Sequence, residues 1–415
     1  MKQTMVFLLL LFTAGLGCRR EFSTSPVRAP VRPLTEEEKV VVATSNDFGL
    51  RLFSEVAAAK PNENVFLSPY SVAVALAMTA NGAAGETKQA MLETLGFSDS
   101  SVEEMDQAFR SLTLLILGLD PKVELEIANA IWYRQGLHVR RELVDLVQKY
   151  FGAPVRALDF GDAGSSDVVN EWVKEQTHDK IRKILDRIDP QDVMFLANAI
   201  YFKALWTYQF EKEKTQDDTF YGPDGQEIPC RMMVQTVDEL PYFRGDGFAA
   251  VDLPYGDGLF AMTILLPDEG SSVDSLVNEL SPSFLADLER RFQSRKVTVF
   301  LPRFKIRFGA KLNDVLKKMG MAVAFTPGAA DFSRLFDEDL PLYIGFVKHK
   351  AFVQVDEEGT EAAAVTVVGI RLTAVGGGEN VVFFRVNRPF VFVIRDRHSN
   401  TVLFAGRIVE PKWEE

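Results

Sequence analysis

Apolar positions recur at helical spacing in some stretches of the chain and at strand spacing in others. One-turn spacing over residues 44–59 predicts an amphipathic helix, with Ser45 as its N-cap. Ser68 followed by Pro69 is a second helix start, since proline suits the first helical position. An almost wholly apolar run, 193–205, suits a strand buried on both faces. Helices and strands interleave in this way along the chain, which predicts an α+β fold.

The most unusual pattern lies between residues 356 and 374. Its alanines favour helix, whereas its Val-Thr-Val-Val run favours strand. In a strand, every second residue would share one uncharged face whose first half is small; that face is Thr360, Ala362, Ala364, Thr366, Val368, Ile370 and Leu372. Gly359 supplies backbone freedom just before it. We interpret the segment as a conditional strand, which can be an exposed loop or can enter a sheet over a packed core.

The N-terminus has the pattern of an export signal. Residues 1–17 contain a basic residue, an apolar run too short to span a membrane, and then small residues, as in a bacterial secretory signal peptide. The small residues before Cys18 resemble a lipobox, in which the cysteine is acylated and becomes the mature N-terminus. An ordinary signal peptide cut nearby is the alternative. Residues 18–38 would then be a lipidated, disordered tether rich in Pro, Ser and Arg.

Amino-acid composition limits the classes of protein to which this chain can belong. A chain of 415 residues with 47% hydrophobic content can bury a large core, and a net charge of −12 argues against non-specific nucleic-acid binding. If Cys18 is lipidated, Cys230 has no partner for an intramolecular disulfide, so we expect Cys230 to be buried and inert. Without a CxxC pair, an HExxH motif or a nucleotide-binding fingerprint, no metal and no cofactor is expected.

Catalytic patterns are also missing from the sequence. The chain has four histidines and no Gly-x-Ser-x-Gly elbow that would place a nucleophile on a strand-to-helix turn. His349 lies in an apolar run between Lys348 and Lys350, where a lone histidine is more often a satisfied core group than a base. We therefore expect no enzymatic activity and assign no catalytic residue.

Several stretches resemble one known family, the serpins, which are suicide inhibitors of serine proteases. Residues 357–364, Glu-Glu-Gly-Thr-Glu-Ala-Ala-Ala, resemble the hinge of the serpin reactive loop, and 386–394 resemble the C-terminal signature of the family. Residues 64–71 resemble the motif at the top of the first core helices, and 196–206 the central strand with the tryptophan beyond it. The resemblance extends over residues 46–411.

This resemblance implies a serpin fold: a single α+β domain over 39–415 with three β-sheets, a cluster of helices and an exposed reactive-centre loop at about 357–380. A serine protease would cleave the loop as a substrate. The loop would then enter the main sheet as a new strand, carrying the covalently bound protease with it and deforming its catalytic site. A serpin fold used as a binding or chaperone module without protease trapping is the alternative, and the small hinge residues favour inhibition.

The resemblance also assigns roles to residues. The hinge comprises Glu357, Glu358, Gly359, Thr360, Glu361, Ala362, Ala363 and Ala364. A polar cluster beneath the main sheet, called the shutter, comprises Ser68, Ser71, Asn198 and His349. Without the resemblance, these four would equally be unrelated cap and core polar groups. Trp206, the tryptophan beyond the central strand, corresponds to the region called the breach.

Counting from Gly359 as the family does places the reactive bond between Thr373 and Ala374. Thr373 is small and uncharged, which suits elastase-like or subtilisin-like proteases. Earlier cleavage, after Leu372 or Arg371, would suit chymotrypsin-like or trypsin-like proteases respectively.

The expected partners are a target serine protease, in a covalent complex, and a membrane through lipid on Cys18. The chain would be secreted across the inner membrane and anchored at the outer membrane or cell surface, because Arg19 is not an inner-membrane retention signal; otherwise it would be extracellular. We expect a monomer with no nucleic-acid partner. No heparin site is evident, because 112–119 is apolar where some relatives bind their cofactor, and Arg140-Arg141 and Arg290-Arg291 are sparse.

Overall fold

The computed structural model describes residues 31–97, 102–360 and 381–414. The chain divides into two units, Met1–Pro33 and Leu34–Glu415, and the helices and strands given below all lie in the second. The signal peptide, Cys18, the later hinge residues from Glu361 to Ala364 and the reactive bond with its alternatives lie outside the described residues.

The described residues contain nine α-helices. They are α1 (Glu36–Ala58), α2 (Pro69–Ala80), α3 (Gly85–Leu95), α4 (Val102–Leu117), α5 (Arg141–Phe151), α6 (Ser165–Gln176), α7 (Val273–Glu279), α8 (Pro282–Arg291) and α9 (Asn313–Leu316). None of the helices within these described ranges is both long enough and apolar enough to cross a membrane.

The strands number fifteen in the same part of the chain. They are β1 (Val65–Leu67), β2 (Val123–Arg134), β3 (Val155–Leu158), β4 (Met194–Leu205), β5 (Gln216–Tyr221), β6 (Glu227–Arg244), β7 (Phe248–Tyr255), β8 (Phe260–Pro267), β9 (Gln293–Pro302), β10 (Phe304–Lys311), β11 (Lys348–Val355), β12 (Gly359–Thr360), β13 (Val382–Arg385), β14 (Phe390–Asp396) and β15 (Val402–Ile408).

Helix α1 begins earlier than the apolar spacing predicted. Thr35 is its N-cap: the Glu38 backbone N–H donates to Thr35 Oγ1 at 3.2 Å, and the Thr35 backbone N–H donates to Glu38 Oε2 at 2.8 Å. This reciprocal capping box starts the helix ten residues before Ser45. The assignment of Ser45 as N-cap was therefore wrong; Ser45 lies inside α1, where its hydroxyl donates to the Val41 carbonyl at 2.5 Å.

Nine strands form one hydrogen-bonded network, in the order β1-β15-β14-β8-β7-β6-β9-β13, with β5 paired to β6. The 18-residue strand β6 runs through two parts of it, because its first half pairs with β5 and its last residues pair with β7. Its register against β9 shifts between Val237 and Leu240. The α+β architecture is confirmed. The three expected sheets appear as two hydrogen-bonded networks, because the pairing of β6 with β9 connects two of the sheets into one network.

The other network has six strands in the order β10-β11-β12-β4-β2-β3. Its strand β12 is two residues long and pairs with both neighbours, since Thr360 lies opposite Val355 of β11 and opposite Ala204 of β4. The two neighbours are therefore two strand spacings apart at this level, about 10 Å. Below Thr360, β4 and β11 form no ladder with each other within the described residues. We call the space between them the slot.

Helix α6 and the chain that follows it cover the outer face of this sheet. Val169, Trp172 and Val173 of α6 belong to one buried cluster with Phe195, Ala197 and Ala199 of β4 and with Ile181, Ile184 and Leu185 beyond the helix. Phe346 and Phe352, from the β11 side of the slot, pack against the same cluster. The cluster therefore includes side chains from both sides of the slot.

Residues 412–414 cover part of the outer edge of the six-stranded sheet. The Lys305 backbone N–H of β10 donates to the Lys412 carbonyl at 2.7 Å, and the Glu414 N–H donates to the Lys305 carbonyl at 3.0 Å. Trp413 lies between them in a parallel bridge with Lys305. The edge strand β10 is thus paired along part of its free side.

Candidate functional site

The first strand residues of the hinge already lie within the sheet. Thr360 is only 3% exposed and pairs with strands on both sides. Gly359 lies against β4 so closely that a Cβ atom would be 2.0 Å from the Ala204 carbonyl oxygen and 2.7 Å from Leu205 Cα. Because both atoms belong to the backbone, they cannot move aside as a side chain would. Glycine is the residue that this close approach admits.

A tight turn connects β11 to the hinge strand. Asp356 Oδ1 accepts hydrogen bonds from the backbone N–H groups of Glu358 at 3.1 Å and Gly359 at 3.3 Å, and Oδ2 accepts one from Gln354 Nε2 at 3.0 Å. Burial raises the pKa of the Asp356 carboxyl, and these three bonds oppose the rise. The side chain thus fixes the direction in which the chain re-enters the sheet.

The two hinge glutamates within the described residues, Glu357 and Glu358, have different partners. Glu357 is buried, and its carboxylate accepts a hydrogen bond from Thr215 Oγ1 at 2.7 Å and lies 3.5 Å from Arg303 Nε. Removing either partner would leave a buried charge poorly compensated. Glu358 lies nearer the surface and pairs with Lys212, whose pKa is raised by that bond. Both contacts hold the start of the hinge beside the top of the slot.

Trp206, the residue assigned to the breach, contacts the hinge turn directly. Its Nε1–H donates to the Asp356 carbonyl at 2.9 Å, and its backbone N–H donates to the Glu358 carbonyl at 2.9 Å. Its ring stacks on Tyr255 with centroids 4.4 Å apart. The Tyr255 hydroxyl in turn lies 2.5 Å from Thr360 Oγ1. Sequence reasoning missed Tyr255, because only the fold places the end of β7 beside the hinge.

The residues assigned to the shutter do not form one bonded cluster. The Ser68 backbone N–H donates to His349 Nε2 at 3.2 Å, while Ser68 Oγ donates to the Leu403 carbonyl at 2.7 Å and accepts from the Ser71 N–H at 3.2 Å. Ser68 therefore caps α2, as its pattern with Pro69 predicted, and also contacts His349. Burial lowers the pKa of His349 to about 4, so the imidazole is neutral near pH 7.

Asn198 lies on the opposite side of the slot from His349. Its Nδ2 donates to Asn129 Oδ1 at 2.6 Å, and the two asparagines are directly opposite each other in the β2–β4 ladder. Asn129 was not identified from the sequence. A signal for it exists, since Ala-Asn-Ala-Ile occurs at both 128–131 and 197–200. Two matching segments that pair in register bring the two amides together.

A cavity of about 250 Å³ lies beneath the slot. Ser71 of α2, Asn198 of β4 and His349 of β11 all line it, among mainly apolar side chains such as Leu76 and Phe346. The structure thus places three of the four assigned shutter residues around one space, although they are not all hydrogen-bonded to one another. A strand that entered the slot would lie above this cavity.

Other kinds of site find no support in the described ranges. No group of three or more His, Cys, Asp or Glu residues there is arranged to hold a metal ion. Cys230 is buried, as expected, and burial raises the pKa of its thiol to about 11. A thiol with so high a pKa is a poor nucleophile.

Comparison with known proteins agrees with this geometry. The family model described as Serpin (serine protease inhibitor) matches residues 43–411. An uncharacterized serpin-like protein of Thermococcus kodakarensis is 36% identical over 383 residues, which cover 91% of this chain and 87% of the relative.

Solved structures give the same result. Tengpin, a thermophilic serpin in its native state, matches with a TM-score of 0.82 at 34% identity, covering 92% of this chain and 96% of its own. Human thyroxine-binding globulin, solved with its ligand, matches with a TM-score of 0.83 at 27% identity, covering 91% of this chain and 100% of its own. Sequence and fold therefore agree, and the chain belongs to the serpin family of serine protease inhibitors.

Proposed function

We propose that the chain inhibits a serine-type endopeptidase as a suicide substrate. The protease serine forms an ester with the Thr373 carbonyl as the bond to Ala374 breaks. The freed loop then enters the slot as a central strand, carrying the protease with it before the ester is hydrolysed. The observation that carries this proposal is the slot itself, since β4 and β11 lie two strand spacings apart with β12 already between them at the top.

Energetics support insertion. A strand that continued from Thr360 alongside the 12-residue strand β4 could form about ten further backbone hydrogen bonds, at about 1 kcal/mol each. Burial of its apolar face would add to this at about 25 cal/mol per Å². The intact protein must then be kinetically trapped, because the inserted state lies lower in free energy.

The position of Thr360 bears on the rate of insertion. Trapping succeeds only if insertion outruns hydrolysis of the ester. Gly359 and Thr360 are already paired, so the first contacts of the new strand exist before cleavage. The entropy cost of ordering these two residues therefore does not slow insertion after cleavage. Alternation from the inward-facing Thr360 places Ala362 and Ala364 on the same face, and their small size avoids overpacking.

The alternative is a non-inhibitory serpin fold that acts as a binding or chaperone module. The likeness to thyroxine-binding globulin, which was solved in complex with thyroxine, favours it. The decisive experiment is to incubate the protein with elastase-like, subtilisin-like, chymotrypsin-like and trypsin-like proteases and to examine the products on a denaturing gel. A covalent complex supports inhibition. Loop cleavage by every protease without any complex would establish the binding module instead.

For location, we propose export followed by lipid anchoring through Cys18 at the outer membrane or cell surface of a bacterial cell. The support is the apolar run ending in small residues before Cys18, followed by a polar tether. Mass spectrometry of the mature N-terminal peptide tests this. An acylated Cys18 supports the proposal, whereas soluble protein without acyl mass identifies an ordinary signal peptide.

A further inference from the structure

Two hydrogen-bond donors that line the cavity beneath the slot have no partner among the described residues. His349 Nε2 accepts the Ser68 backbone N–H, so the neutral ring must carry its proton on Nδ1. Neither this Nδ1–H nor the Ser71 hydroxyl donates to an acceptor within the described ranges. His349 is 7% exposed and Ser71 is 1% exposed. Buried donors without an acceptor are costly, so the cavity favours a molecule that supplies one.

The remainder of the cavity wall is mainly apolar. Leu76 of α2, Leu196 of β4 and Phe346 contribute to it. Thr79 also lines the cavity, but its hydroxyl donates to the Ala75 carbonyl at 2.7 Å and is already satisfied. The cavity therefore combines an apolar wall with two available donors, which suits an apolar molecule carrying one acceptor group.

The cavity opens to the surface at the end of the slot farthest from Thr360. Three of its lining residues are exposed there, Gln191, Tyr343 and Lys348. The segment 341–347 forms one side of this opening and is held by Asn313 of α9. Asn313 Nδ2 donates to the Gly345 carbonyl at 2.9 Å, and Asn313 Oδ1 accepts from the Val347 N–H at 2.8 Å. These bonds fix the segment in place, so the opening exists before any ligand arrives.

The size of the cavity limits the size of its occupant. Its volume is about 250 Å³. An apolar cavity of about 150 Å³ in another protein binds benzene, so proportion gives an occupant of about ten non-hydrogen atoms here. Water fills such a space poorly, because each buried molecule needs about two to four polar partners and most of this wall offers none.

The charges around the cavity favour a neutral occupant. Lys348 lines the cavity but is exposed at the opening, and Asp192 also lines the cavity, where its carboxylate would repel an anion. The imidazole of His349 carries no charge near pH 7. A charge moved into an apolar space without an opposite charge beside it is strongly disfavoured. The acceptor is therefore an uncharged carbonyl oxygen, as in a ketone, an ester or an amide.

We propose that this cavity binds a small, neutral, apolar molecule whose carbonyl oxygen accepts hydrogen bonds from the donors at His349 and Ser71. The molecule has about ten non-hydrogen atoms and enters beside Tyr343. Its apolar part contacts side chains of α2 and β4, and its carbonyl group takes the place of the acceptor that the two donors lack.

Occupancy of the cavity also bears on loop insertion, and this part of the inference rests on the proposed inhibitory function. Thr360 lies opposite Ala204 in the antiparallel pair of β12 and β4. A strand continued in that register would place Val368 opposite Leu196, which lines the cavity. By alternation from Thr360, Val368 would face inward. The bound molecule and the later part of the inserted strand would therefore compete for the same space.

The test is a ligand-observed NMR titration of the intact protein with propiophenone, a neutral ketone of the required size, and with propylbenzene, which has a similar shape but no acceptor. Ser71→Ala removes one donor and should weaken binding of the ketone about fivefold without weakening binding of the hydrocarbon. Thr79→Val is the matched control, because it removes a lining hydroxyl that is already bonded, and it should change neither affinity. In the wild type, the ketone alone should shift the nitrogen resonance of His349 Nδ1.

Failure of propiophenone to bind up to its solubility limit would overturn the proposal. The same holds if Ser71→Ala weakens the ketone and the hydrocarbon equally, if Thr79→Val weakens the ketone as much, or if the anion 3-phenylpropanoate binds more tightly. These titrations contain no protease, so they do not depend on whether the chain inhibits one. Competition with insertion is measured separately, as the number of inhibitor molecules consumed per protease. The ketone should raise this number, and an unchanged number would refute the competition while leaving the binding site intact.

Discussion

His349 Nε2 accepts a hydrogen bond from the backbone N–H of Ser68 at 3.2 Å, which connects strand β11 to the N-cap of helix α2. The accepting nitrogen must be unprotonated, so the folded protein holds a neutral imidazole. Burial lowers the His349 pKa to about 4, from about 6.5 in an unfolded chain. Between these two values the unfolded state binds more protons than the folded state.

Stability should therefore decline as the pH falls from about 6.5 to about 4, with a contribution from His349 of about 3 kcal/mol in all. Above that window both states are neutral and the contribution is constant. In His349→Gln, the amide oxygen can accept the Ser68 bond without titrating. The urea midpoints of both proteins at about pH 7 and about pH 5 test this. Between about pH 7 and about pH 5, the urea midpoint of the wild type should fall by more than that of the variant. Equal decreases in the two proteins would contradict the assignment of this pH dependence to His349.

Gly359→Ala should destabilise the intact protein by about 1–3 kcal/mol, because the new methyl group would meet the backbone of β4. It should also reduce the yield of covalent complex, since the hinge could no longer occupy the top of the slot. Gly309→Ala is the matched control, because its Cβ would lie 3.5 Å from Lys350 Cγ, an ordinary contact. Thermal unfolding and gel analysis of both variants provide the measurement. Equal effects would show that the close approach at Gly359 is unimportant.

Ala362→Arg should abolish the covalent complex while leaving loop cleavage intact. By alternation from Thr360, residue 362 faces inward on insertion, so a guanidinium there would have to be buried without a partner at several kcal/mol. Ala363→Arg adds the same group on the opposite face and should retain most activity. The ratio of complex to cleaved product on a gel distinguishes them. Full complex formation by Ala362→Arg would refute insertion in this register.

Cleavage of the loop should raise the melting temperature sharply. The new strand would fill the slot and give β4 and β11 the ladder partners that they lack below Thr360 in the described structure. Calorimetry before and after limited proteolysis measures the change. If the intact and cleaved forms have the same melting temperature, the loop does not insert, and the result favours the binding-module alternative.

The reactive bond can be located by mass. After reaction with an elastase, the released C-terminal fragment should begin at Ala374. A fragment beginning at Thr373 would indicate cleavage after Leu372 and a chymotrypsin-like target. One beginning at Leu372 would indicate cleavage after Arg371 and a trypsin-like target.

Local signals predicted much of the fold. Ser68 with Pro69 identified the start of α2, because a cap and a fixed φ act within a few residues. The predicted start of α1 was wrong. The capping box of Thr35 and Glu38 begins the helix earlier than the apolar spacing from which Ser45 was predicted as the N-cap. Both outcomes reflect interactions over three or four residues, which the sequence does contain.

Relations between distant segments were not predictable in the same way. The sequence identified a conditional strand, but not that Thr360 is already paired while β4 and β11, within the described residues, form no ladder with each other below it. That arrangement depends on the relative positions of three strands. The contact of Tyr255 with Thr360 joins residues 105 apart in the sequence, so it has no local signal.

The backbone pairing of Lys305 with Lys412 and Glu414 has a consequence for the tendency of the protein to aggregate. An exposed sheet edge recruits strands from other molecules, and here residues 412–414 occupy part of that edge. A variant that ends at Pro411 would lack these residues and leave that part of β10 open. Light scattering by this variant should then rise as copies associate edge to edge, at temperatures where the core remains folded.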